Sequence, residues 1–102
     1  MQTNRLDTIQ KEILANFDFD SVHAVMTAMG WKWAVTDGYR VPTIDELRVH
    51  ALSIVRDAYN DFVVTKKTAG VSGGGLSVVI YENGHVTLDF VIETCNVPGE
   101  NG

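Results

Sequence analysis

The residues in this chain with the types to do chemistry fall in three places. Trp31, Trp33, Tyr39 and Arg40 lie within ten positions, Arg48 follows, and Ser72-Gly73-Gly74 opens a run that ends at Gly75. Aromatic faces stack on bases, arginines grip phosphates through paired N–H donors, and glycine lets an anion approach backbone N–H groups. With Lys66 and Lys67 as further cations, this set suits a nucleotide pocket. Each member also has a plainer reading. Tryptophan is heavily buried on average, Arg48 can snorkel into water or pair with an acid, and an isolated glycine run serves as a flexible or bulged lead into a strand. The run is not a P-loop, because the Lys-Ser/Thr end is missing and a strand follows it.

Other chemistries are poorly supplied. His23, His50 and His85 have no ligand spacing with one another or with Cys95, so no structural metal and no cofactor is expected. His50 stands four residues after Glu46, and His85 faces Glu82 across a turn, which makes both surface partners. Cys95 with a histidine is the one nucleophile pairing available, and no basic neighbour in sequence lowers its pKa, so it reads as a core or edge thiol. Asp89 and Glu93 share a strand two pleats apart, an arrangement common on exposed sheet faces. No catalytic set emerges, and an enzyme is not expected.

The elements that must position these residues are organised around Leu76 to Cys95. Asn83-Gly84 between two runs rich in Val, Ile, Tyr, Phe and Thr signals a two-residue β-hairpin. With that turn, Tyr81 lies opposite Val86, Val79 opposite Leu88 and Ser77 opposite Phe90. Tyr81, Val79, Val86, Leu88, Phe90 and Ile92 then share the face that needs a cover, and Glu82, His85, Thr87, Asp89 and Glu93 share the other.

The cover comes from upstream. Leu6, Ile9, Ile13, Leu14 and Phe17 recur at helical spacing, and Asp7 and Lys11 make a favourable i,i+4 pair. Asp18 reads as the N-cap of a second helix with Phe19, Val22, Val25, Met26 and Met29 as its buried stripe, closed by Gly30. Trp31 to Val35 alternates as a strand with Trp31, Trp33 and Val35 on one side, and Tyr39-Arg40-Val41 returns beside it after Thr36-Asp37-Gly38. Thr43 and Glu46 have capping-box spacing for a third helix from about Ile44 to Asn60. Phe62 to Thr65 reads as a further short strand.

The expected fold is therefore α+β, a small antiparallel sheet made of the C-terminal hairpin and the short aromatic hairpin, packed against about three helices. One domain over 1–95 is expected, with 96–102 as a flexible tail. Apolar runs are too short to span a bilayer and no signal-peptide core is present, so a cytoplasmic location is expected. The net charge of -5 argues against duplex nucleic acid as a partner.

Phe19 through Met29, Trp31-Lys32-Trp33, Gly38 through Leu47, Ser72-Gly73-Gly74 and Asp89 through Glu93, taken in order, resemble a group of small bacteriophage-encoded proteins. The resemblance implies a phage accessory protein in the host cell cytoplasm that counters host defence. The aromatic and glycine features then suggest a homo-oligomeric sponge for a nucleotide-type immune signal, with Trp31, Trp33, Tyr39, Arg40, Arg48, Ser72, Gly73 and Gly74 binding the ligand. The alternatives are a stoichiometric inhibitor of a host defence protein and a non-catalytic structural or regulatory phage protein.

Overall fold

The computed structural model describes residues 5–91. Ile92, Glu93, Cys95 and the expected tail lie outside the described residues. The order is α1 (Arg5–Asn16), α2 (Phe19–Met29), β1 (Trp33–Val35), β2 (Gly38–Arg40), α3 (Ile44–Thr65), β3 (Ala69–Gly73), β4 (Leu76–Ile80) and β5 (Val86–Phe90). The fold is α+β with two antiparallel sheets, a two-stranded β1-β2 ribbon and a three-stranded sheet in the order β3-β4-β5.

Local chemistry starts and stops the helices. Asp18 caps α2 by accepting from the Ser21 backbone N–H at 3.0 Å, and Gly30 ends it at a φ of 69°. Thr43 accepts from the Glu46 N–H at 3.1 Å while Glu46 accepts from the Thr43 N–H at 2.9 Å, a complete capping box on α3. These pairings satisfy N–H groups that the first helical turn leaves without intrahelical partners. Of the stripe expected on α2, Phe19, Val22 and Met26 are buried, whereas Val25 and Met29 are exposed. A helix packed on one side buries only the residues nearest the contact line.

The third helix runs 22 residues, and the strand expected at Phe62 to Thr65 is its last turn. The β-branched run Val63-Val64-Thr65 favours a strand locally, but Phe62 stands one turn beyond Ala58 and packs at the edge of the core, which carries the helix on. Lys66 stops it in the left-handed region at a φ of 62°, its N–H donating to the Phe62 carbonyl at 2.7 Å.

The main hairpin differs from expectation by one residue. Asn83 is not at positive φ, Gly84 is at 91°, and the Gly84 N–H donates to the Tyr81 carbonyl at 2.8 Å. The loop therefore has three residues, Glu82 to Gly84, closed by Tyr81 N–H donating to the His85 carbonyl at 2.8 Å. Three-residue loops of this kind place glycine last, at the left-handed position. The pairs become Ile80 with Val86, Val78 with Leu88 and Leu76 with Phe90. One step of register turns every β4 side chain over, so Leu76, Val78 and Ile80 face the core and Tyr81 is exposed. Burying such an aliphatic side chain is worth about 1.5–3 kcal/mol. The other parity offers Ser77 in place of an aliphatic residue, so the observed register prevails.

A two-residue turn with positive φ at both positions does exist, at Gly74 (63°) and Gly75 (91°), between paired Gly73 and Leu76. The glycine run is the end of β3 and a tight hairpin. On the inner side of this sheet lies α3, whose Leu47, Ala51, Ile54, Val55 and Ala58 meet Leu76, Val78 and Ile80. Helices α1 and α2 pack on the same helix with Ile9, Ile13, Phe19, Val22 and Met26. Trp31, expected on a strand, precedes β1 and is 3% exposed in this core, its buried Nε1–H without a hydrogen-bond partner among the described residues.

Candidate functional site

The Gly73–Gly75 turn is where separate parts of the chain meet. Trp33 Nε1–H donates to the Gly74 carbonyl at 3.0 Å. His50, on α3, has Nε2 2.8 Å from the Gly73 carbonyl, and the Gly75 carbonyl accepts from the Val91 N–H at 2.8 Å. Three consecutive carbonyls thus accept from β1, from α3 and from the residue after β5. A carbonyl can only accept, so Nε2 of His50 carries the proton, which in the neutral tautomer leaves Nδ1 as an acceptor. The Trp33 and His50 rings meet edge to face, 5.2 Å between centroids at 66°.

The turn is tight enough to require glycine twice over. A Cβ on Gly74 would stand 2.7 Å from His50 Nε2, and one on Gly75 would stand 2.8 Å from Met26 Cε and 3.0 Å from the Trp31 ring. His50, read from sequence as a partner of Glu46, serves this turn instead. Glu46 is already taken by Arg40, which donates to both carboxylate oxygens, one at 2.6 Å. The Arg40 hydrogen bonds, followed by the Thr43 N–H, hold the Glu46 carboxyl well below its ordinary value, at about 2. His85, expected beside Glu82, stacks on Tyr81 with centroids 6.0 Å apart.

Beside this junction an open groove of about 440 Å³ is lined by Trp33, Asp45, Glu46, Val49, His50 and Ser53. Asp45, Val49 and Ser53 form one i,i+4 ridge of α3 and Glu46 and His50 the next, while Trp33 makes the facing wall. Val49 is 67% exposed, an aliphatic side chain standing in solvent.

Of the eight residues singled out from sequence, Trp33, Gly73 and Gly74 meet at this junction. Arg40 is directly opposite Trp33 in the β1-β2 ribbon and is tied to Glu46 at the groove. Tyr39 pairs with Ala34, so it lies on the other face of the ribbon, exposed. Arg48 donates to Asp45 at 2.9 Å and lies over the Phe19 ring with its guanidinium carbon 5.8 Å from the centroid. Ser72 alternates with Gly73 and is exposed on the outer face of the sheet, and Trp31 is in the core. Lys66 and Lys67 follow the far end of α3; Lys66 is about 24 Å from His50 along the axis at 1.5 Å per residue.

Sequence reasoning missed His50, Asp45, Val49 and Ser53. The ridge at 45, 49 and 53 was open to a helical-wheel reading as an exposed face. Nothing local links position 50 to a carbonyl 23 residues later. Among the described residues no group of three or more His, Cys, Asp or Glu is placed to hold a metal ion, and no helix is long and apolar enough to cross a membrane. No family model, curated protein or solved structure matches the chain.

Proposed function

We propose that this chain acts by binding and not by catalysis, and that the groove between Trp33 and the first turns of α3 is its contact surface. The observation that carries this reading is that, among the described residues, the groove is lined by no lysine or arginine. Arg40 and Arg48 are each paired with a carboxylate that lines it, Glu46 and Asp45, and the carbonyls of the glycine turn are each engaged. The groove offers an indole, an exposed valine, the largely solvated Asp45 and the Nδ1 acceptor of His50. An aromatic anchor beside aliphatic surface with a polar rim is the composition of a protein contact patch. Set beside the resemblance to phage-encoded proteins, the reading becomes a stoichiometric inhibitor that covers a host defence protein in the bacterial cytoplasm.

A second reading, a sponge for a nucleotide-type immune signal, is favoured by one specific feature. Trp33 and the His50 Nδ1 acceptor line the same groove, so a base could stack on one and donate to the other. Native mass spectrometry tests both readings on protein purified from bacteria with an active nucleotide-signalling defence, with nucleic acid removed beforehand. A stoichiometric host polypeptide, lost in Val49→Glu, supports the inhibitor. A stoichiometric nucleotide mass, lost in the same variant, supports the sponge. Bare protein, or a partner retained by Val49→Glu, overturns this assignment of the groove.

A further inference from the structure

Among the described residues no strand pairs with the outer edge of β5 in the three-stranded sheet. Tyr81 N–H donates to the His85 carbonyl and Val91 N–H to the Gly75 carbonyl, which fixes the alternation of bonded pairs along β4-β5. Thr87 and Asp89 therefore turn their backbone groups to β4, and the N–H and C=O groups of Val86, Leu88 and Phe90 point away from the sheet. Among the described residues no hydrogen bond engages those groups, and no proline, lysine or bulge guards the strand between Val86 and Phe90. The side chains of Val86, Leu88 and Phe90 are only half-buried, and a depression of about 260 Å³ lies between Val86 and Leu88 and helix α1.

We propose that β5 pairs antiparallel with β5 of a second copy about a two-fold axis at Leu88, joining two three-stranded sheets into one of six. The register is set by parity. Outward backbone groups must meet outward groups, which places Val86 opposite Phe90, Leu88 opposite Leu88, and Phe90 opposite Val86, for six new backbone hydrogen bonds. The half-covered apolar side chains on the inner face then meet one another across the seam. On the outer face Asp89, the strand's one charged residue, stands opposite Thr87 in both halves, so no like charges face each other. The charge pattern thus admits a second copy of this strand, whereas an acidic strand at this edge would oppose Asp89. A seam of five residues buries less than a standard interface of about 1,600 Å², so the dimer forms and dissociates with protein concentration.

Thr87 is the residue to vary, because its side chain lies on the outer face of the sheet and the proposed pairing sets it directly opposite Asp89 of the second copy. Sedimentation equilibrium of the full chain reads the dimer constant, with circular dichroism reporting that each variant is folded. The parent is expected to dimerise. Thr87→Lys, which gains two Lys–Asp pairs, is expected to tighten the dimer about fivefold, and Thr87→Asp, which opposes two Asp pairs, to weaken it by a similar factor. Raised salt should shrink both differences. A parent that stays monomeric into the high micromolar range, or two variants that shift the constant in the same direction, overturns the proposal.

Discussion

Gly74 shows how much a single position is asked to do. It takes a left-handed φ, lets His50 come within hydrogen-bond distance of the preceding carbonyl, and offers its own carbonyl to Trp33. Gly74→Ala is expected to cost about 2–3 kcal/mol in urea unfolding, one part from the left-handed backbone and one from the Cβ against His50 Nε2. In a His50→Ala background the second part should vanish, leaving about 1 kcal/mol; an unchanged cost would mean that the ring is not the obstacle. Trp33→Phe keeps an aromatic ring but removes the Nε1–H, and should lose about 1 kcal/mol. The caps were legible in sequence because Asp18 with Ser21, and Thr43 with Glu46, interact across three residues. The His50 and Trp33 bonds to the turn were not, since they span 23 and 41 residues.

At the scale of elements, the start of α3 ties the aromatic ribbon to the long helix. Glu46 closes the capping box and receives Arg40 from β2 at the same time. Its carboxyl is held down at about 2 in the folded protein, from an ordinary 4.5. The stabilisation this represents is present above pH 4.5 and is lost as the pH falls from there towards 2. Glu46→Gln should therefore flatten the fall of the urea midpoint in that window. A fall as steep as the parent's would assign it to other carboxylates, of which Asp18, held down by its bonds from Ser21, is the first candidate. At the other end, Lys66 adopts a left-handed φ that glycine takes without strain. Lys66→Gly is expected to raise stability by up to about 1 kcal/mol, read from the urea midpoint. The extent of α3 escaped the sequence reading because Val63, Val64 and Thr65 favour strands locally, while the packing of Phe62 acts across elements.

At the scale of the whole molecule, one core joins all three helices to β3 and β4 through α3. Leu47 is fully buried in it, so Leu47→Ala is expected to cost about 2–5 kcal/mol. Because Trp31 is in that core and Trp33 is tied to the sheet, far-UV circular dichroism and tryptophan fluorescence should report coincident transitions. Separate transitions would divide the molecule into independent units. The acidic charge, spread along the chain, leaves the groove and the β5 edge as the surfaces where function is most directly tested.

By itself the sequence determined what depends on short spacing and on composition. It set the α+β class, the positions of three helices, the capping residues, the short ribbon and the existence of the C-terminal hairpin, because these follow from periodicity and from bonds across a few residues. Only the tertiary structure decided the hairpin register, the end of α3 and the fate of the candidate site. Which β4 face is buried depends on the helix laid against it, and Arg40 is occupied because the β1-β2 ribbon is laid beside Glu46 at the start of α3. Three glycines that could have cradled an anion became a turn whose carbonyls are engaged because His50, Trp33 and Val91, distant along the chain, converge on it.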